Sequence, residues 1–158
     1  MASQLYQELD NQSRQIRILI LLPGLEPLPI HCQLEVVSLD GLPQYQAVSY
    51  AWGDHMDTQS VRVENVEIKI RSNLEACLRH LRKSDGKLRL WVDSICINQE
   101  NDREKSQQVA MMGTIFRSCS SAFIWLGVPS PVRGTESPPC TNDGSLVLFR
   151  LLVFSTDK

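Results

Sequence analysis

A chain of 158 residues with 42% hydrophobic content has room for one domain with a real core, and not for two. Sixteen Lys and Arg against 18 Asp and Glu give a formal net charge of -2, so no broad basic field exists to hold a phosphate backbone, and nucleic acid is excluded as a general partner. The longest aliphatic run, residues 18–22, falls far short of the roughly 20 apolar residues of a membrane-spanning helix, so no transmembrane segment is expected.

The opening residues are polar and carry Glu8 and Asp10, where a secretory leader would be basic and then apolar, so a cytoplasmic, reducing location is expected. Residues 1–13 read as a flexible N-terminus. Residues 16–22 (IRILILL) and 30–39 (IHCQLEVVSL), the second alternating Ile30, Cys32, Leu34 and Val36 on one face, predict two antiparallel strands. Residues 45–52 (YQAVSYAW) are apolar on both faces and belong at the centre of a sheet. Val61 and Val63, the polar pair Glu64-Asn65, and then Val66, Ile68 and Ile70 predict a β-hairpin.

Ser72 and Glu75 form a capping box, followed by Leu74, Cys77, Leu78 and Leu81 at helical spacing, which predicts an amphipathic helix ending near Asp85-Gly86. Residues 88–92 read as a strand, and Asn101 with Glu104 opens a second helix whose stripe is Val109, Met112, Phe116 and Cys119. Residues 121–126 make a third central strand closed by Gly127, so strands and helices alternate from about residue 45 and imply a parallel α/β core. Residues 128–144, with four prolines and two glycines, read as a loop. The apolar segment 145–158 is expected to be helical and to need a burial partner, which suggests that the fold continues beyond it.

In an open parallel sheet, ligands bind beyond the carboxyl ends of the strands. That rule selects three loops: one with Tyr50, Trp52, Gly53 and Asp54, one with Asp93, Ser94, Cys96, Asn98 and Gln99, and one beginning at Gly127. Asp93 follows bulky strand residues, so it either anchors its own loop by an Asx-type bond or holds a ligand hydroxyl. Trp52-Gly53-Asp54 offers a ring face, a close backbone approach and a carboxylate, a set suited to a nucleotide base or sugar and equally to a core tryptophan beside a capped turn.

Five cysteines, at 32, 77, 96, 119 and 140, lack any C-x-x-C pair and read as mostly buried thiols. Cys96 as a nucleophile would need a positioned base such as His55 or His80, and neither is placed by sequence. His31 and Cys32 point to opposite faces of their strand, and no metal site is predicted. Asp102, Arg103, Glu104 and Lys105 read as a solvated helix start, with Glu104 as catalytic acid the alternative.

These loops resemble the fungal heterokaryon incompatibility (HET) domain family. Three blocks carry the resemblance: YQAVSYAWGD (45–54), NLEACLRHLR (73–82) and LWVDSICINQENDREKSQQVAMMGTIFRSCSSAFIWLG (90–127). Against the family's aromatic-x-A-L-S-Y-x-W-G-D and W-I-D-A-I-C-I-N-Q patterns, Tyr45, Ser49, Tyr50, Trp52, Gly53, Asp54, Trp91, Asp93, Cys96, Ile97, Asn98 and Gln99 match, while Val48 and Ser94 depart mildly. The resemblance covers about residues 14–127, taken as one HET-like domain.

It implies a role in fungal non-self recognition and programmed cell-death signalling, through assembly with copies of the chain (a homo-oligomer) or with a receptor-type protein partner. The family is also distantly similar to TIR domains. That implies a TIR/flavodoxin-like open, mainly parallel α/β sheet, here with added N-terminal antiparallel strands and a β-hairpin. Some TIR domains hydrolyse NAD, so an NAD(P)-cleaving hydrolase is the alternative, with NAD as substrate and no cofactor required. Its catalytic glutamate would follow the third strand, where Glu136 stands in a proline-containing stretch without the usual tryptophan-cysteine context; Glu104 is the other candidate. A truncated, inactive relative is the third reading.

Overall fold

The structure is a computed structural model that describes residues 5–10, 12–52 and 56–127 and the backbone of 148–152. Its strands are β1 (Gln15–Leu21), β2 (His31–Ser38), β3 (Gln46–Tyr50), β4 (Thr58–Val63), β5 (Val66–Arg71), β6 (Leu88–Trp91), β7 (Ser121–Trp125) and β8 (Leu148–Leu152). The helices are α1 (Ser72–Leu81), the single turn α2 (Asp93–Cys96) and α3 (Asp102–Ser118). All eight described strands join one open sheet in the order β5-β4-β2-β1-β6-β3-β7-β8.

The sheet is mixed. Strands β6, β3 and β7 run parallel, and β2 runs parallel to β4. The pairs β1–β2, β1–β6, β4–β5 and β7–β8 are antiparallel. The parallel character expected of most of the sheet is therefore confined to its β6-β3-β7 centre and one outer pair, because short returns such as the Glu64-Asn65 turn between β4 and β5 reverse the chain direction. Glu64 adopts a φ of 53° there, as two-residue hairpin turns require.

Burial follows the apolar pattern of the strands. Ile16, Ile18, Leu19 and Leu21 of β1 and Leu90 and Trp91 of β6 are at most 1% exposed. The predicted central strand β3 does lie inside the sheet, between β6 and β7. One long helix covers each face. Ala47 pairs with Trp91 and Tyr50 with Trp125, so these two tryptophans project to opposite sides. Trp91 meets Phe116 of α3 edge-on at 5.6 Å, and Trp125 lies against His80 of α1 at 5.7 Å.

Three expectations change. Helix α1 ends at Leu81, not near Gly86, and has Arg71 at its N-cap without a side-chain cap; the Ser72 hydroxyl donates instead to the Asp57 carboxylate, fastening α1 to the segment before β4. Met112, Phe116 and Cys119 of the predicted α3 stripe pack on the core, but its buried face also carries Glu104, Gln108 and Ile115, and Val109 is 51% exposed. Each of the two polar side chains on the inner face has a partner there: Gln108 Nε2 donates to the Gln15 carbonyl at 2.9 Å, and Glu104 pairs with the buried Arg17. Finally, the C-terminal segment expected to be helical contains strand β8, in register with β7 from Ser121–Leu152 to Trp125–Leu148.

Candidate functional site

At the carboxyl ends of β3 and β6 the chain builds a cleft of about 430 Å3. Tyr50 and Trp52 line it from the end of β3, Ser94 and Gln99 from the segment after β6, Lys105 from the first turn of α3, and Thr58, Lys69, Ile70 and Arg71 from the β4–β5 hairpin. The strand-end rule thus locates the cavity, and two of the three loops it selects converge on it.

Asp93 organises one wall. Its carboxylate accepts a hydrogen bond from the Ser94 N–H at 2.7 Å and another from the Trp52 indole. Burial pushes its pKa up, and these hydrogen bonds offset part of that rise. The carboxylate thereby ties the Trp52 loop to the loop after β6. Gln99 Nε2 closes the latter by donating to the Asp93 carbonyl at 3.0 Å, and Asn98 Oδ1 accepts from the Glu100 N–H at 3.1 Å in an Asx turn. Above them the Tyr50 hydroxyl donates to Ser94 Oγ at 2.7 Å, and burial raises the Tyr50 pKa to about 12, so the phenol stays protonated at neutral pH.

Cys96 lies below the cleft, fully buried. The Val92 N–H points at its sulfur at 3.3 Å, and burial lifts the thiol pKa to about 12, which leaves almost no thiolate near neutrality. Cys32, Cys77 and Cys119 are likewise buried and free. Cys96 therefore acts as a small core residue beneath the loop. His80 is exposed on α1 and stacks on Trp125, not beside Cys96.

Glu104 is turned inward. Its Oε1 and Oε2 receive Arg17 Nη1 and Nη2 at 2.5 and 3.1 Å, and Oε1 also accepts the Asn98 N–H at 2.8 Å. Arg17, 1% exposed, further donates to the Cys96 carbonyl at 3.2 Å and to the Gln7 carbonyl, and lies 4.9 Å from the Tyr6 ring. The Tyr6 hydroxyl completes the cluster by donating to the Ile95 carbonyl at 3.1 Å. A bidentate buried pair thus clamps the N-terminal segment, β1, the loop after β6 and the start of α3 together. Asn101 caps α3 as expected, accepting from the Glu104 N–H at 3.1 Å.

Of the sequence-derived site residues, Tyr50, Trp52, Asp93, Asn98 and Gln99 come together at or beneath the cleft, Cys96 supports it, and Glu104 serves the clamp behind it. Gly53, Asp54, His55, Glu136 and Cys140 lie outside the described residues. The sequence reading missed Arg17, hidden in an aliphatic strand, and the cleft cations Lys69, Arg71 and Lys105. It also missed Asn73, which donates to the Ala51 carbonyl at 2.7 Å and accepts from Trp125 Nε1 at 2.8 Å, so α1 fastens the ends of β3 and β7. Gly127, with a φ of 101°, passes so close to Asn73 that a Cβ there would sit 3.3 Å from its Oδ1. Among the described residues no three His, Cys, Asp or Glu side chains gather as metal ligands, and no helix is long and apolar enough to cross a membrane.

Comparison with known proteins gives two matches and one absence. The profile of the family "Heterokaryon incompatibility protein (HET)" matches residues 45–142, a stretch that contains β3, both wall loops and α3. The Neurospora crassa protein "Heterokaryon incompatibility protein 6, OR allele" is 35% identical over 133 residues, covering 75% of this chain and 20% of its own length. The chain thus spans about a fifth of that relative. No solved structure matches.

Proposed function

The chain belongs to the heterokaryon incompatibility (HET) family, and we propose that it serves fungal incompatibility as a signalling module that triggers cell death by assembling with copies of itself or with a receptor-type partner. The observation that carries this reading is the 35% identity to an incompatibility protein, in a chain whose family residues build one connected wall of the cleft. The parallel β6-β3-β7 centre with a helix on each face supports kinship with TIR-type signalling sheets. Leu25 and Leu28, 63% and 56% exposed in the β1–β2 connection, offer apolar surface for a protein partner.

Cleavage of NAD is the weaker reading, because the described candidate carboxylates are already engaged: Asp93 by Trp52 and Ser94, and Glu104 by Arg17 and Asn98. A catalytic acid or base needs a free proton position facing the substrate.

Induced expression of the chain in a filamentous fungus, scored for hyphal death by a vital dye, tests the role. Death with the wild-type chain, lost when Leu25 and Leu28 are both replaced by Asp, is the expected result. Healthy hyphae at matched wild-type protein levels would contradict it.

A further inference from the structure

The cleft holds an unusual charge arrangement for a chain of net charge -2. Lys69, Arg71 and Lys105 line this one cleft, and, like Arg62, Arg82 and Arg103 elsewhere, none of them forms an ion pair with a described residue. Lys69 and Arg71 stand two apart on β5 and so share one side of the strand, Thr58 is the cross-strand partner of Arg71, and Lys105 reaches in from α3. Three like charges gathered at one cleft without an ion-paired carboxylate repel one another, and an anion between them would recover that energy.

The cleft also carries an exposed aromatic ring. Trp91 and Trp125 are at most 1% exposed, whereas Trp52 is 44% exposed and lines the cleft. Its side chain lies beside the Asp93 carboxylate, which sets the ring at the cleft wall where a planar base can stack on it. Gln99 and Ser94 line the same cleft; the latter accepts from Tyr50 and keeps its own hydroxyl proton to donate. The volume, about 430 Å3, is within the range of small-molecule sites. Inorganic phosphate would leave the ring unused, and an apolar ligand would leave the cations unpaired.

We propose that this cleft binds a nucleoside phosphate, with its base against Trp52 and its phosphates between Lys69, Arg71 and Lys105. The site goes beyond the signalling role and does not depend on assembly.

The test is titration of the purified chain with adenosine diphosphate, adenosine and inorganic phosphate, reading heat and the emission of the exposed Trp52. The diphosphate is expected to bind and quench, with adenosine and phosphate each about tenfold weaker or more, and with affinity falling as salt is raised. Lys69→Gln and Lys105→Gln each weaken the diphosphate by about tenfold. Both residues are exposed, so these variants keep the wild-type melting curve. Absence of binding at millimolar diphosphate overturns the proposal, as does an affinity unchanged in the Lys69→Gln/Lys105→Gln double variant. Adenosine or phosphate binding as tightly as the diphosphate overturns it too, since either result removes one half of the recognition.

Discussion

Glu104 and Asp93 are both acidic residues near the cleft, and their surroundings assign them different work. Removing Glu104 leaves Arg17 buried with its charge uncompensated, so Glu104→Ala is expected to cost about 3–5 kcal/mol in chemical denaturation, whereas a joint Arg17→Met/Glu104→Leu replacement recovers much of that loss. Asp93→Ala strands the Trp52 and Ser94 N–H groups and should cost about 1–3 kcal/mol. The pH dependence has a definite sign. Burial raises the Asp93 pKa in the folded chain above its usual 3.8, so folding favours the protonated carboxyl, and this contribution is full below that value and fades as pH rises through the folded pKa. Thermal melts from acid to neutral pH should therefore show wild type losing ground to Asp93→Asn as pH rises; a constant gap would contradict the burial argument. Sequence placed Asp93 at a strand end and named loop anchoring, but Glu104 read as a solvated helix start because its partner, Arg17, is 87 positions away. Nothing in the pattern IRILILL marks one arginine as buried beneath a helix.

Helix α3 shows the same principle over a whole element. Periodicity selects Val109, Met112, Phe116 and Cys119 as its inner stripe, and Met112, Phe116 and Cys119 do pack on the core. Hydropathy counts Glu104 and Gln108 as outward, but hydrogen bonds to Arg17 and Gln15 draw them inward, and Val109 is left in solvent. Val109→Lys should then change stability by less than about 0.5 kcal/mol, while Ile115→Ala, at a fully buried position, should cost about 2–5 kcal/mol. Comparable losses from the two substitutions in urea titrations would restore the hydropathy stripe. The cap was legible, since Asn101 needs only local geometry, and Asn101→Ala should lower stability by about 1 kcal/mol. The terminal apolar run was not, because a short greasy segment has no periodicity to separate strand from helix, and pairing with β7 decides it.

At the scale of the whole molecule, the parallel centre and the cleft at its strand ends follow from the alternation of strands and helices after residue 45 and from the rule for open sheets. The outer half of the sheet was less legible: each strand of β1, β2, β4 and β5 is readable alone, but their order across the sheet rests on long-range pairing such as His31 with Arg62. The cations of the cleft escaped notice for a related reason, since Lys69 and Lys105 look like ordinary solvated charges until the hairpin and α3 are brought to the same wall. Family membership carries the functional reading, and assembly is the step we propose for passing a signal on. Light scattering on the purified chain, followed from micromolar to millimolar concentration, tests that step most directly. A molar mass that climbs with concentration, and falls back to that of a single 17.9 kDa chain when Leu25 and Leu28 are both replaced by Asp, is the predicted result. A mass that stays at one chain throughout, from protein that still kills hyphae, would contradict signalling by self-assembly.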